Sequence, residues 1–171
     1  MSAKFTIPPS SLSHSEFLDR FGSIYEHSAW IAEAVWNKGL TEEHDSVGPL
    51  ADALAAVLDA SDDNAKLELI RAHPDLAGKA AVRGELTEAS TSEQAGAGLD
   101  ECSAEEFARF QTLNEAYKAK FGFPFILAVK GRGRREILAA FENRLDNDQA
   151  SEFQTAIEQI HQIARLRLSD L

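Results

Sequence analysis

Between Ser103 and Gly122 the chain spells out a complete helix. Ser103-Ala104-Glu105-Glu106 has the form of a capping box, Phe107, Phe110, Leu113, Ala116 and Tyr117 repeat at helical spacing, and a glycine follows. A Ser at the N-cap and a Glu three residues on satisfy each other's backbone amides, and glycine tolerates the left-handed turn that ends a helix. The same punctuation recurs along the sequence and leaves little room for a sheet. Ser13-His14-Ser15-Glu16 precedes Phe17, Leu18, Phe21 and Ile24. A second helix is expected over 28–38, with Trp30, Ile31, Ala34 and Val35 on one face and Gly39 as its stop. Pro49 suits the first position of a third, which carries Leu50, Leu54, Val57 and Leu58. Ser61 to Asn64 breaks and recaps the chain, and a fourth helix reaches Ala72.

Beyond Pro74 the pattern predicts a short helical turn closing near Gly78, then helices over 87–97, 103–121, 134–145 and 149 to the end. Phe123–Val129 reads as extended. The expectation is an all-α, single-domain bundle (1–171) of about eight helices, with one irregular extended segment near 123–129.

Composition narrows the function classes. The formal net charge is −11, which argues against nucleic acid and anionic membranes as partners. No segment is apolar for long enough to span a bilayer: the longest run, Phe123–Val129, contains Pro124. The N-terminus lacks an apolar signal core, and the final Ser-Asp-Leu is not a peroxisomal address, so the cytoplasm is the expected location. The single cysteine, Cys102, can form neither an internal disulfide nor a Cys/His metal set. Its neighbours Glu101, Glu105 and Glu106 disfavour a thiolate, so a nucleophilic role is not expected.

Four features place polar groups where chemistry could use them. At about 100° per residue, Phe153, Ala156, Ile157, Ile160, Ile163, Ala164 and Leu171 form one stripe of the last helix, and Arg167 falls within it. A guanidinium there needs an anion: a buried protein carboxylate, a ligand's carboxylate, or an escape of its head to solvent. Ser90, Glu93 and Gln94 share a helix face if Thr87 caps that helix, but Ser90-Thr91-Ser92-Glu93 is itself a capping box that would occupy Ser90 and Glu93. His73 precedes Pro74, which forces the helix to stop near Ala72 and leaves an imidazole at the corner, either as a plain connector or as a presented proton-transfer group. Finally, Phe123-Pro124-Phe125-Ile126 reads as an irregular wall offering backbone groups to a ligand. The basic residues after it, Lys130, Arg132, Arg134 and Arg135, read as a solvated patch. These patterns alone describe a helical protein with one site for an anionic ligand, and a non-catalytic binding module remains open.

Five blocks, taken in order, carry more information. They are "FGSIYEHSAWIAEAVW" (21–36), "HPDLAGK" (73–79), "LTEASTSEQAGAGL" (86–99), "FGFPFILAVKG" (121–131) and "IARLRL" (163–168). Together they resemble the OHCU decarboxylases, enzymes of urate breakdown acting on 2-oxo-4-hydroxy-4-carboxy-5-ureidoimidazoline. The resemblance implies an all-helical, homodimeric carboxy-lyase without cofactor or metal, producing (S)-allantoin and carbon dioxide. By position it implies His73 as catalytic acid/base with Pro74 beside it, and Glu93 as a second catalytic group. It also implies substrate contacts from Pro74, Ser90, Gln94, Phe125, Ile126 and Arg167.

Overall fold

The computed structural model describes residues 2–171. Among these, the chain forms nine α-helices and no sheet: α1 His14–Phe21, α2 Trp30–Lys38, α3 Val47–Asp59, α4 Asp63–Ala72, α5 Lys79–Val82, α6 Glu88–Gly96, α7 Ala104–Phe121, α8 Arg134–Arg144 and α9 Gln149–Ser169. The expected all-α architecture is present, and 123–129 forms no helix. Packing groups the chain into two compact units, residues 2–69 with His161–Leu171, and Ile70–Ile160.

In the first unit, Ser13 caps α1 through the box read from the sequence. The apolar face of α1 then places Phe17 and Phe21 in the interior, with ring centroids 5.0 Å apart, and Trp36 of α2 lies 5.6 Å from Phe17. His14 Nε2 meets Glu33 Oε2 at 2.7 Å and ties α1 to α2. Gly39, at φ +92°, ends α2 where an L side chain would be strained. Helix α3 starts at Val47, two residues ahead of the expected Pro49, and buries Leu50, Leu54, Val57 and Leu58.

In the second unit, α7 runs from its Ser103 cap to Gly122 as its sequence dictates. It lays Phe110, Leu113, Tyr117 and Phe121 into an aromatic core. Phe125 stacks on Phe141 of α8 at 3.9 Å and 10°. Burying one such ring contributes about 1.5–3 kcal/mol, against about 0.5–1.5 kcal/mol for a typical hydrogen bond. Apolar burial therefore fixes where 123–129 lies, and hydrogen bonds refine how its backbone is turned.

Three expectations need correction. Pro74 does not open a helix: residues 73–78 form an irregular turn, and α5 begins only at Lys79. Leu171 is exposed, and Leu168 takes the buried place on α9. The basic patch is not simply solvated: Arg134 donates to both Glu106 carboxylate oxygens and to the Gly98 carbonyl, and Arg132 donates to the Ala128 carbonyl.

Candidate functional site

Helix α4 ends at Ala72, and the His73 amide closes the last turn on the Ile70 carbonyl at 3.2 Å. Proline at 74 disfavours helical backbone at His73, so the chain turns there. The His73 side chain is buried. It lines an open cleft of about 390 Å³ shared with Arg71, Asp75, Lys118, Gly122, Phe123 and Pro124.

The turn behind His73 is built by side chains. Gln94 of α6 accepts from the Ala77 amide at 3.0 Å and donates to the Asp75 carbonyl at 3.2 Å. Asn114 Nδ2 donates to the Leu76 carbonyl at 2.9 Å, and Gln111 Nε2 to that of Ala77 at 2.8 Å. Lys118 pairs with the Asp75 carboxylate at 2.6 Å. Ala77 sits at φ +49°, a left-handed conformation uncommon for a residue with a Cβ. A Cβ at Gly78 would come within 2.7 Å of Asp75 Cβ, so glycine permits the tight return.

Helix α6 resolves the two readings of its N-terminus. Thr87 is the N-cap, and its side chain accepts from the Ser90 amide at 3.3 Å. Ser90 therefore stands within the helix, on the face shared with Glu93 and Gln94. Ser90 and Gln94 are buried and Glu93 is partly exposed.

Phe125 and Ile126 are fixed by a buried ion pair. Arg144 makes a double contact with Glu152, with Nε and Nη2 at 2.9 Å from its two carboxylate oxygens, and the Glu152 carboxylate is fully buried. The same guanidinium donates to the Ile126 carbonyl and lies 4.4 Å from the Phe125 ring centroid. Gln159 accepts from the Ala128 amide at 2.9 Å. Tyr117 packs edge-on to Phe125, and burial holds its phenol well above the ordinary tyrosine range.

Arg167 belongs to the first unit, and the other candidate residues to the second. Its buried head meets a protein anion, Glu26, at 2.8 Å, and donates to the Ser23 and Ile24 carbonyls. Next in sequence, Tyr25 contacts His161 Nδ1 at 2.8 Å, and His161 Nε2 contacts Asp59 at 2.9 Å. The irregular stretch from Ser23 to Glu26 is thus pinned by two α9 side chains.

Cys102 is a poor thiolate, as expected: burial first, then Glu106, pushes its thiol up. Among the described residues no group of His, Cys, Asp or Glu is spaced to hold a metal ion, and no helix is long and apolar enough to cross a membrane. Sequence reading missed Glu26, Gln111, Asn114, Arg144 and Glu152. Asn114 did leave a signal, as a polar residue inside the apolar series Phe110, Leu113, Tyr117.

The model of one protein family, OHCU decarboxylase, matches residues 10–169. The chain belongs to the OHCU decarboxylase family. Within it, the 2-oxo-4-hydroxy-4-carboxy-5-ureidoimidazoline decarboxylase of Haloferax volcanii is 42% identical over 159 residues, covering 93% of this chain and 90% of that protein. The uric acid degradation bifunctional protein PucL of Bacillus subtilis is 39% identical over 153 residues, which are 90% of this chain and 30% of that longer protein. Among solved structures, a crystal structure of (S)-allantoin synthase superposes with a TM-score of 0.75 at 34% identity. It is matched over 95% of this chain, which spans about half (52%) of that one.

Proposed function

We propose that this member of the OHCU decarboxylase family converts OHCU to (S)-allantoin and carbon dioxide in urate catabolism, without a cofactor and as a cytoplasmic homodimer. The observation that carries the reading is the family match over 10–169, which includes a buried His73 on a braced corner.

The substrate supplies its own electron sink. The carbon bearing the carboxylate and hydroxyl adjoins an imine carbon. When the bond to carbon dioxide breaks, its electron pair forms a carbon–carbon double bond, and the imine nitrogen takes up a proton. The resulting enol loses its hydroxyl proton as the ureido-bearing carbon gains one. Net consumption is one proton per carboxylate lost.

The enzyme's task is to choose the face of that last protonation. His73 delivers the proton as general acid, a role worth about 10²–10⁴-fold in rate. Glu93 polarises the hydroxyl and ureido groups, and Ser90, Gln94, Pro74 and the Phe125–Ile126 backbone position the ring. Arg167, its guanidinium fixed by Glu26, orients the substrate's carboxylate or a ring oxygen.

Freshly generated OHCU mixed with the protein, with allantoin followed by circular dichroism, tests the reading. The expected result is fast formation of one enantiomer, and loss of both speed and enantiomeric excess in His73→Gln. Racemic product at the spontaneous rate with the unaltered protein overturns the activity. An unimpaired His73→Gln overturns the role of the histidine alone.

A further inference from the structure

Asn114 is an expensive residue for its position. It lies 3% exposed on the inner face of α7 between Phe110, Leu113 and Tyr117, and among the described residues its Oδ1 meets no hydrogen-bond donor. A buried polar atom without a partner destabilises, and leucine there would pack without that cost. What Asn114 does accomplish is one contact, Nδ2 to the Leu76 carbonyl. Gln111, one helical turn earlier on the same side of α7, reaches the next carbonyl, that of Ala77.

We infer that Gln111 and Asn114, together with Gln94, are positioning residues that set the direction of the His73 imidazole. The inference rests on the reading of His73 as the proton donor. The three amides engage the Asp75 carbonyl, the Leu76 carbonyl, and both the amide and carbonyl of Ala77. They therefore hold Ala77 in its left-handed conformation, which alanine would otherwise leave for a more extended one.

The clamp reaches His73 through a short, stiff connection. Pro74 fixes its own φ, and it removes helical backbone from the choices of His73. Ahead of His73, Arg71 Nε donates to the Gly122 carbonyl at 3.1 Å and anchors the last turn of α4 at the end of α7. The imidazole thus leaves a backbone held on both sides by α7. Delivery of a proton to one face of a planar intermediate depends on that direction. A misplacement of about 1 Å can cost on the order of 10²-fold in rate.

The test uses Asn114→Leu and Gln111→Met in the full-length chain, with Glu115→Gln on the exposed side of α7 as control. Expected for Asn114→Leu is a 10–100-fold fall in kcat, KM within about twofold, and a clear loss of enantiomeric excess in the allantoin formed, in a protein that melts cooperatively. Gln111→Met should show the same split to a smaller degree. The chain has five histidines, so the ring resonances of labelled protein can be assigned by substitution. The His73 ring signal should move or broaden in both clamp variants and stay fixed in Glu115→Gln. Unchanged kcat and enantiomeric excess in folded Asn114→Leu overturns the inference, as does a loss of rate that only tracks the folded fraction. If the unaltered protein proves inactive on OHCU, the functional reading fails, and the ring resonances still decide whether the clamp sets the imidazole. An unmoved His73 signal overturns it in that case too.

Discussion

Removing the charge of Arg167 should be among the most damaging single changes in the chain, for a reason unrelated to chemistry on a substrate. Its side chain is 8% exposed and that of Glu26 is 1% exposed, with nitrogen and oxygen 2.8 Å apart. Arg167→Leu leaves the Glu26 carboxylate in the interior without its counter-ion and takes a donor from the Ser23 and Ile24 carbonyls. Breaking one side of such a pair costs about 3–5 kcal/mol. For a chain of this length, each kcal/mol lowers Tm by about 2–4 °C, so the fall should be about 6–20 °C. Glu26→Leu, which takes the carboxylate from the guanidinium instead, should be similarly destabilised. The double variant Glu26→Leu/Arg167→Leu should recover most of the loss, because neither charge of this pair then remains. Urea unfolding followed by far-ultraviolet circular dichroism on all four proteins gives the coupling directly. An Arg167→Leu protein within about 1 kcal/mol of the parent, or two single effects that simply add, would refute the coupling of these charges.

Two other outcomes follow from the second unit and from its capping box. Arg144→Met strands the fully buried Glu152 carboxylate and frees the Ile126 carbonyl, so it should cost about 3–5 kcal/mol in urea unfolding, whereas Arg109→Met, at a half-exposed pair with Glu142, should cost at most about 1 kcal/mol. The Glu106 carboxyl is held below its usual range by the Ser103 amide and then by Arg134. Its folded pKa is the lower one, so the native state binds fewer protons, and the contribution is complete above the unfolded value and vanishes as pH falls through the folded one. Glu106→Gln should therefore be less stable than the parent at neutral pH and converge with it in acid unfolding measured below about pH 4; a constant gap across that range would contradict the assignment.

Helix content was legible because its signals are local. The boxes at Ser13 and Ser103 and the stops at Gly39 and Gly122 act within one turn, so sequence neighbours contain the whole cause. The start of α6 was harder, since Thr87 and Ser90 both offer a cap, and only the folded backbone selects Thr87. The corner at His73 was visible through Pro74, but its bracing was not. Gln94, Gln111 and Asn114 lie 17 to 38 residues from the backbone groups they hold. Nothing in the spacing of "HPDLAGK" requires them. Arg167 illustrates the other side: the helical stripe demanded an anion, and the structure supplies Glu26, whose short stretch "IYEHS" gives no sign of such a partner.

The first unit is discontinuous in sequence, and this has a consequence for how the chain is made. Ile70–Ile160 is one continuous stretch, whereas residues 2–69 need His161–Leu171 for completion. Synthesis delivers those residues only after Ile70–Ile160. The stretch around Tyr25 and Glu26 must therefore wait on a growing ribosomal chain without His161 and Arg167, its two α9 partners, while the second unit already has all of its own residues. Residues 2–69, made before the second unit, can complete their packing only after it, and until then their apolar faces lack the partners that His161–Leu171 supply.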